Sequence, residues 1–161
     1  MLMSFKLDSA EHGPRAEELI REALRTHEDP YVRYPKTFGA AALLTANGNI
    51  YAERSLEYAG GWGGEQAHAV LAALSKKRLS EPRDDSPPVM LAAASVRDGA
   101  ARLVLPCGRC CEDLKSHIGP DADLDVLGWD YGQLVLIKLS TLLPFPGGRV
   151  DFGLNIEKYR T

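Results

Sequence analysis

The chain has 161 residues, of which 45% are hydrophobic and 25% charged, and its formal net charge is −3. These proportions are typical of a globular domain with a buried core, so we expect residues 1–161 to form a single domain. Because neither a long basic run nor an apolar run of about 18 residues occurs, we expect neither nucleic acid nor a membrane as a partner. The first residues have acids and a proline where a signal peptide has a basic flank and an apolar stretch, which predicts a cytoplasmic protein.

The spacing of apolar residues predicts helices that alternate with strands. In chain order, the predicted elements are a helix over 14–27, a hairpin over 38–56 that turns at Asn47-Gly48, a helix over 67–79, a strand over 89–96, a helix over 107–118, strands over 123–129 and 134–139, and a short helix that starts at Ser140 and stops at Pro144. We interpret residues 97–105 as a turn after which the chain runs back, a segment that we call the return. Helices between strands favour an α/β fold, in which a mixed sheet has helices packed on its faces.

The stretch VLPCGRCCEDL, residues 104–114, carries two cysteines in C-x-x-C spacing. Cys107 and Cys110 follow a predicted strand and open a predicted helix, where the positive end of the helix dipole favours thiolate over thiol. Three cysteines, two of them adjacent, make a poor disulfide framework. The pair is therefore either half of a metal site or a redox dithiol, although the sequence context of thioredoxin-like redox motifs is missing.

His68 is the candidate for the second half of a metal site. It lies where a glycine-rich loop meets the helix predicted over 67–79. Together with Cys107 and Cys110 it would give zinc three protein ligands and leave the fourth position open, which is typical of a catalytic site. The alternative is a histidine that caps the helix or packs in the core.

These residues resemble the cytidine deaminase superfamily, in particular the small cytidine and blasticidin-S deaminases. The metal signature of that fold is H-x-E or C-x-E followed by P-C-x-x-C, and this chain has HAV at 68–70 and PCGRC at 106–110. The hairpin before His68 and the stretch STLLPFPGG also resemble the family, so the likeness covers roughly 15–147.

The resemblance implies a three-layer α-β-α fold with a five-stranded mixed sheet and helices on both faces. It also implies one Zn²⁺ per chain, held by His68, Cys107 and Cys110, and a small-molecule substrate. Small cytidine deaminases assemble as tetramers whose neighbouring subunits complete each pocket. We therefore expect a homo-oligomer, a tetramer or a dimer, in which the C-terminal tail over 148–161 could pack on a neighbouring subunit.

The sequence departs from the family at the catalytic glutamate. That glutamate lies two residues after the first ligand and moves protons between water, the ring nitrogen and the leaving amine. Here the position is Val70, which cannot carry a proton. In an alternative register Glu65 is the family glutamate, Gly63 takes the ligand position, and His68 points about 140° away round the helix. We prefer the register in which His68 is the ligand, because it keeps three ligands.

Glu65 is the nearby carboxylate that we expect to act as a displaced proton shuttle. It precedes His68 by three residues, and residues three apart share a face when they lie on one helix. The alternative is an ordinary acidic residue, which the helix dipole favours at an N-terminus.

Further site residues are implied by the resemblance. Ser55 and Glu57 occupy the places of the family's ribose-binding N-x-E motif, with a surface acid at the end of the strand as the alternative for Glu57. Phe38 lies near the family's ring-contacting aromatic residue, with a core phenylalanine as the alternative, and Trp62 either stacks on a flat ring or anchors its loop. Cys111 stands where these deaminases usually carry arginine, and we expect it to be a helix-packing thiol.

Three functions follow from these residues. The first is a zinc-dependent hydrolytic deaminase of a cytidine-like or other amino-substituted ring, with Glu65 as the proton shuttle. The second is a zinc-containing protein that binds a nucleoside-like ligand without deaminating it, which the valine at position 70 favours. The third is a hydrolase of different chemistry on the same scaffold.

Overall fold

A computed structural model describes residues 9–27, 39–55, 68–83, 85–97, 100–119, 121–130 and 133–144 of the chain. Four predicted site residues, Phe38, Glu57, Trp62 and Glu65, lie outside these ranges, as does the predicted tail over 148–161. None of the described helices is long and apolar enough to cross a bilayer.

The described elements follow the predicted order with one addition. They are α1 (Ser9–His27), β1 (Gly39–Thr45), β2 (Ile50–Arg54), α2 (Ala69–Ser80), β3 (Pro88–Arg97), β4 (Ala100–Val104), α3 (Gly108–Ile118), β5 (Asp125–Asp130), β6 (Gln133–Lys138) and α4 (Leu139–Leu142). The addition is β4, which lies in the stretch that we interpreted as a turn and return.

The strands form one mixed sheet in the order β2-β1-β3-β5-β6, with β4 paired to β3 beside this path. Neighbouring strands are antiparallel except β3 and β5, which are parallel. One edge of β3 is shared, because residues 90–92 pair with β5 and residues 93–97 pair with β4. The described sheet therefore has six strands rather than the predicted five, since the return after β3 is itself paired.

Both faces of the sheet are covered by helices, so the predicted three-layer α-β-α fold is confirmed. Alternate residues of a strand point to opposite faces. On β1, Ala41 and Leu43 pack in a core with residues of α2 and α3, whereas Ala42 and Leu44 pack in a second core with α1. The helices α2 and α3 consequently lie together on one face, and this face carries the candidate site.

The hairpin between β1 and β2 turns as predicted. Gly48 has φ 89°, a left-handed conformation that glycine adopts without steric cost. The Gly48 N–H donates to the Thr45 carbonyl oxygen at 2.9 Å, and the Thr45 N–H donates to the Asn49 carbonyl oxygen at 3.0 Å. The turn fixes the register of β1 against β2, and with it the position of Ser55 just after β2.

The carboxylate of Asp123, which is distant in sequence, stabilises the start of α4. Asp123 Oδ1 accepts hydrogen bonds from the backbone N–H groups of Leu124 and Ser140, and Oδ2 accepts one from the Ser140 hydroxyl at 2.6 Å. Burial alone would raise the pKa of Asp123, but the hydrogen bonds from Ser140 and Leu124 hold it below its usual range. The helix was predicted to start at Ser140, and it begins one residue earlier, at Leu139.

Candidate metal centre

Two helices begin at the candidate metal centre, as the sequence predicted. His68 is the N-cap residue of α2 and Cys107 is the N-cap residue of α3. Both have extended backbone conformations, and neither side chain forms a capping hydrogen bond to its own helix. The two side chains are therefore available for contacts across the gap between the helices. His68 takes the N-cap position of α2, but its side chain does not cap the helix.

Three donor atoms from these helices meet. His68 Nδ1 lies 3.2 Å from Cys110 Sγ and 3.3 Å from Cys107 Sγ, and the two sulfur atoms are 3.5 Å apart. All three cysteines are free, so Cys107 and Cys110 do not form a disulfide. Within the described part of the chain, these three residues are the group of histidine, cysteine and acidic side chains that could hold a metal ion.

The spacing of the three donors fits zinc. From ordinary zinc–ligand bond lengths, two sulfurs on a tetrahedral ion are about 3.8 Å apart, and a sulfur and a nitrogen are about 3.6 Å apart. The observed separations are shorter than these values by only a few tenths of an ångström. Two thiolates and an imidazole are also ligands that zinc prefers.

Burial changes the expected charge of the cysteines. Desolvation by burial, followed by the hydrogen bond and charge of Cys107, raises the pKa of Cys110 to about 12. Without a metal, burial and the second sulfur therefore oppose the thiolate that the helix N-terminus was predicted to favour at Cys110. A divalent cation would supply the missing counter-charge, since a coordinating thiol is deprotonated.

A cleft of about 230 Å³ opens beside the three donors. Small residues of β1 and β3 form its floor, and residues 104–107 form one wall. Its described polar side chains are those of Ser55, His68, Ser95, Cys107 and Cys110, and the described lining contains no carboxylate. This part of the cleft can place a small, largely apolar ring next to a metal, but it offers no acid for proton transfer.

Val70 lies in the lining of this cleft and is only 2% exposed. It follows His68 by two residues, so the first turn of α2 presents an aliphatic side chain beside the donor set. The contact of His68 with both sulfurs also favours the register in which His68 is the ligand. In the alternative register, with Gly63 as the ligand position, His68 would point away from the cysteines.

Ser55, which we predicted from the resemblance, lies in the lining of the cleft. Its oxygen accepts a hydrogen bond from the Gly39 N–H at 3.2 Å, and its own N–H donates to the Gly39 carbonyl oxygen at 2.8 Å. Because the hydroxyl is used here as an acceptor, its hydrogen is still available for donation to a ligand.

Ser95, which was not predicted as a site residue, lines the same cleft from β3. Ser95 is paired with Gly39 across the sheet, and Ser55 is hydrogen-bonded to Gly39 from the other side. The two hydroxyls therefore flank a glycine that has no side chain. A signal was present in the sequence, because Ser95 is a polar residue in an otherwise apolar predicted strand, in alternation with Leu91 and Ala93.

Cys111 is separate from the donor set. It is 1% exposed, packs in the core shared by α2 and α3, and its Sγ lies 3.8 Å from the Pro106 carbonyl oxygen. Burial raises the pKa of its thiol, with a smaller contribution from Cys107. The position agrees with the expected helix-packing thiol.

A second cleft, of about 550 Å³, lies between α1, β2 and Lys76 of α2. It is larger than the cleft at the donors, but its described lining has no histidine or cysteine. Some of its charged side chains form ion pairs, such as Lys76 with Glu53 and Arg25 with Glu22. Size alone does not make it the candidate site, because its carboxylates do not belong to the group of side chains that could hold a metal ion in the described part of the chain.

Comparison with known proteins agrees with this geometry. No protein-family model matches the chain. A cytidine deaminase of Halalkalibacterium halodurans is 34% identical over 126 residues, which are 78% of this chain and 89% of that protein. The chain belongs to the cytidine deaminase family. The resemblance stated from the sequence motifs is thereby confirmed.

Solved structures of the family share the fold. Cytidine deaminase from Mycobacterium tuberculosis matches with a TM-score of 0.62 at 23% identity, over 82% of this chain and 96% of that one. Cytidine deaminase from Burkholderia pseudomallei matches with a TM-score of 0.63 at 24% identity, over 81% and 97% of the two chains. At these identities the matches establish the α/β architecture, and the chemistry depends on the residues of this chain.

Proposed function

We propose that the protein is a zinc-dependent hydrolytic deaminase of a cytidine-like or other amino-substituted ring. The observation that carries this proposal is the meeting of His68 Nδ1 with the sulfurs of Cys107 and Cys110 beside a cleft. Membership in the cytidine deaminase family supports the reaction class.

His68, Cys107 and Cys110 would hold one zinc ion per chain. The donor spacing and the donor chemistry both support this assignment. Bound there, zinc would supply a water molecule activated for attack on the ring carbon that bears the amine. Three protein ligands leave one coordination position for that water, which is the arrangement of catalytic zinc sites.

The described wall of the cleft would orient the ring. Small side chains on β1 and β3 leave a shallow floor on which a flat ring can lie. Ser55 and Ser95 would donate hydrogen bonds to polar atoms on the ring or its substituent. The volume of about 230 Å³ is below the usual range of ligand pockets, about 300–1,000 Å³, and it supports a small substrate rather than an extended one.

Proton transfer requires a carboxylate from outside the described lining. In a hydrolytic deamination, water gives its oxygen to the ring carbon, and its protons pass to the ring nitrogen and to the amine that leaves as ammonia. Val70 cannot carry these protons. We assign the role to Glu65, because it is the carboxylate nearest in sequence to His68 on the loop side.

The remaining assignments follow the family resemblance. Glu57 would accept a hydrogen bond from a sugar hydroxyl, Trp62 would cover the ring, and Phe38 would contact its edge. Assembly as a dimer or tetramer would let the tail over 148–161 complete a neighbouring pocket. Cytidine is the first substrate to test, because the relative from Halalkalibacterium halodurans is named a cytidine deaminase.

A specific observation favours a second function, a zinc protein that binds a nucleoside-like ligand without deaminating it. The observation is that Val70 is buried in the lining of the cleft, beside His68, where the family has its proton carrier. In this alternative the ligand would bind in the same place, and Glu65 would be an ordinary surface acid.

The two functions are separated by zinc analysis and ammonia release on one preparation. Protein purified without chelators is assayed for zinc and then incubated with cytidine, deoxycytidine, cytosine, blasticidin S and guanine. The proposal expects about one zinc per chain and ammonia from at least one substrate. Zinc with binding but no ammonia would favour the second function, and the absence of zinc would contradict both.

A further inference from the structure

The wall of the cleft depends on a glycine in a different strand. Leu105 lines the cleft between β4 and the C-x-x-C motif, and it is 39% exposed. Its side chain lies directly over Gly128 of β5. A Cβ atom added at Gly128 would stand closer than 3.0 Å to Leu105 Cδ2 and 3.2 Å from Leu105 Cγ.

The added atom would have little room to move aside. On the neighbouring strand, Val135 is paired with Gly128, and its Cγ2 would lie 3.7 Å from the new Cβ, which is ordinary van der Waals contact. Because the backbone of β5 is held by β6 on this side, Leu105 is the group that must yield. Its side chain is half exposed and can rotate, so it would leave its place in the wall without unfolding the sheet.

We propose that Gly128 is a positioning residue for the substrate pocket and that Leu105 is the wall residue that it positions. The missing side chain at Gly128 lets Leu105 lie against the sheet, and this keeps the cleft open beside Cys107. The inference rests on the proposed function for the nature of the ligand, an amino-substituted ring such as that of cytidine. The contact between Leu105 and Gly128 is independent of that function.

Other glycines of the site lack this restriction. A Cβ at Gly108, between the two cysteines of the motif, would meet no atom within 4 Å. A Cβ at Gly39, on the floor, would meet its nearest neighbours at 3.7 and 3.9 Å. Among the described glycines of the cleft and its wall, Gly128 is therefore the position at which one methyl group displaces a pocket residue.

The test is a mutant cycle on the zinc-loaded protein. Gly128→Ala should weaken cytidine binding or raise KM about 10-fold, because misplacement by about 1 Å is costly in a preorganised site. Zinc content should be unchanged, and Tm should fall by about 2–12 °C, the range expected for overpacking in a chain of this size. In the Leu105→Ala background the same change should alter KM less than 2-fold. Ser116→Ala, at an exposed position of α3 away from the cleft, is the control and should also stay within 2-fold.

Two results would overturn the inference. One is an unchanged KM in Gly128→Ala, and the other is a rise in KM that is equally large when Gly128→Ala is introduced into the Leu105→Ala background. If the wild-type protein neither binds nor deaminates any substrate of the panel, the proposed function fails, and crystal structures of wild type and Gly128→Ala decide the inference instead. We expect the Leu105 side chain to move by at least 1 Å relative to Cys107. An unmoved Leu105 would contradict the inference whatever the substrate is.

Discussion

Two neighbouring regions of the candidate site, a metal end with the three donors and a proton-transfer end around Val70, differ in the functional side chains that the described residues supply. At the metal end, the N-termini of α2 and α3 bring one imidazole and two sulfurs within 3.5 Å of one another. At the proton-transfer end, the first turn of α2 presents Val70 close to His68, and no carboxylate belongs to the described lining. Metal binding and proton transfer therefore depend on different residues, because the described residues include three candidate metal donors but no carboxylate at the cleft.

The largest expected effect concerns the metal end. Cys110→Ala removes a sulfur ligand, so we expect zinc to fall to less than a tenth of one equivalent and ammonia release to become undetectable. Metal analysis and an ammonia assay check this result. The matched control is Cys111→Ala, which removes the adjacent buried thiol and should keep zinc. Equal loss of zinc in both variants would mean that the helix, rather than the ligand set, had been damaged.

The next effect concerns the proton-transfer end. Glu65→Gln should lower kcat by about 10²–10⁴-fold, the usual contribution of general acid–base catalysis, while zinc stays bound. Steady-state kinetics and metal analysis on the same sample measure the two properties separately. A change in kcat of less than 5-fold would show that another group carries the protons.

A second substitution sharpens this test. Val70→Glu, introduced into the Glu65→Gln background, places a carboxylate in the lining of the cleft two residues after His68. If a carboxylate at either position can transfer protons in this site, kcat should recover at least 10-fold over Glu65→Gln alone. The absence of any recovery would indicate a pocket shaped for different chemistry.

A smaller effect is expected for the two serines that line the cleft, Ser55 and Ser95. Loss of one hydrogen bond is worth about 0.5–1.5 kcal/mol, so Ser95→Ala and Ser55→Ala should each raise KM by about 2–10-fold. Ser55→Ala should also lower Tm, because Ser55 accepts a hydrogen bond from the Gly39 N–H. Ser116→Ala, on an exposed part of α3, is the control. If neither serine changes KM, the substrate does not contact the floor.

The smallest effect concerns Asp123, whose carboxylate stabilises the fold and, unlike that of Glu65, is not expected to take part in catalysis. Asp123→Ala should lower the free energy of unfolding by about 1 kcal/mol, as for loss of a helix cap. Because the pKa of Asp123 is lowered in the folded state, this stabilisation is complete above its unfolded pKa, about 3.9, and is lost as the pH falls through the lower folded value. Urea unfolding at pH 7 and pH 3 measures it. Asp121→Ala, at an exposed neighbouring position, should show neither effect.

The sequence predicted the fold and the metal end well, because both depend on local patterns. Apolar spacing predicted the helices, and the loop-to-helix positions of His68 and Cys107 predicted that two helix N-termini would meet. The strand β4 was missed although a local signal was present, because Asp98-Gly99 between two largely apolar runs is typical of a two-residue hairpin connection. Ser95 and Leu105 were missed because only the packed sheet places them beside the donors.

The charge of the cysteines shows a further limit of sequence reasoning. The position of Cys110 in the first turn of a helix predicted a stabilised thiolate. In the folded protein, burial and the neighbouring Cys107 raise its pKa to about 12 instead. Burial depends on the whole fold, so it cannot be predicted from a motif of five residues. The same limit applies to Val70, whose burial in the cleft became visible only with the structure.

The most direct test of the donor set is X-ray absorption at the zinc edge of protein purified without chelators. The account predicts one zinc per chain with two sulfur ligands at about 2.3 Å and two nitrogen or oxygen ligands at about 2.0–2.1 Å, one of them from solvent. His68→Ala should remove the imidazole contribution from that spectrum. A spectrum with any other number of sulfur ligands, or protein that carries no zinc, would contradict the central claim.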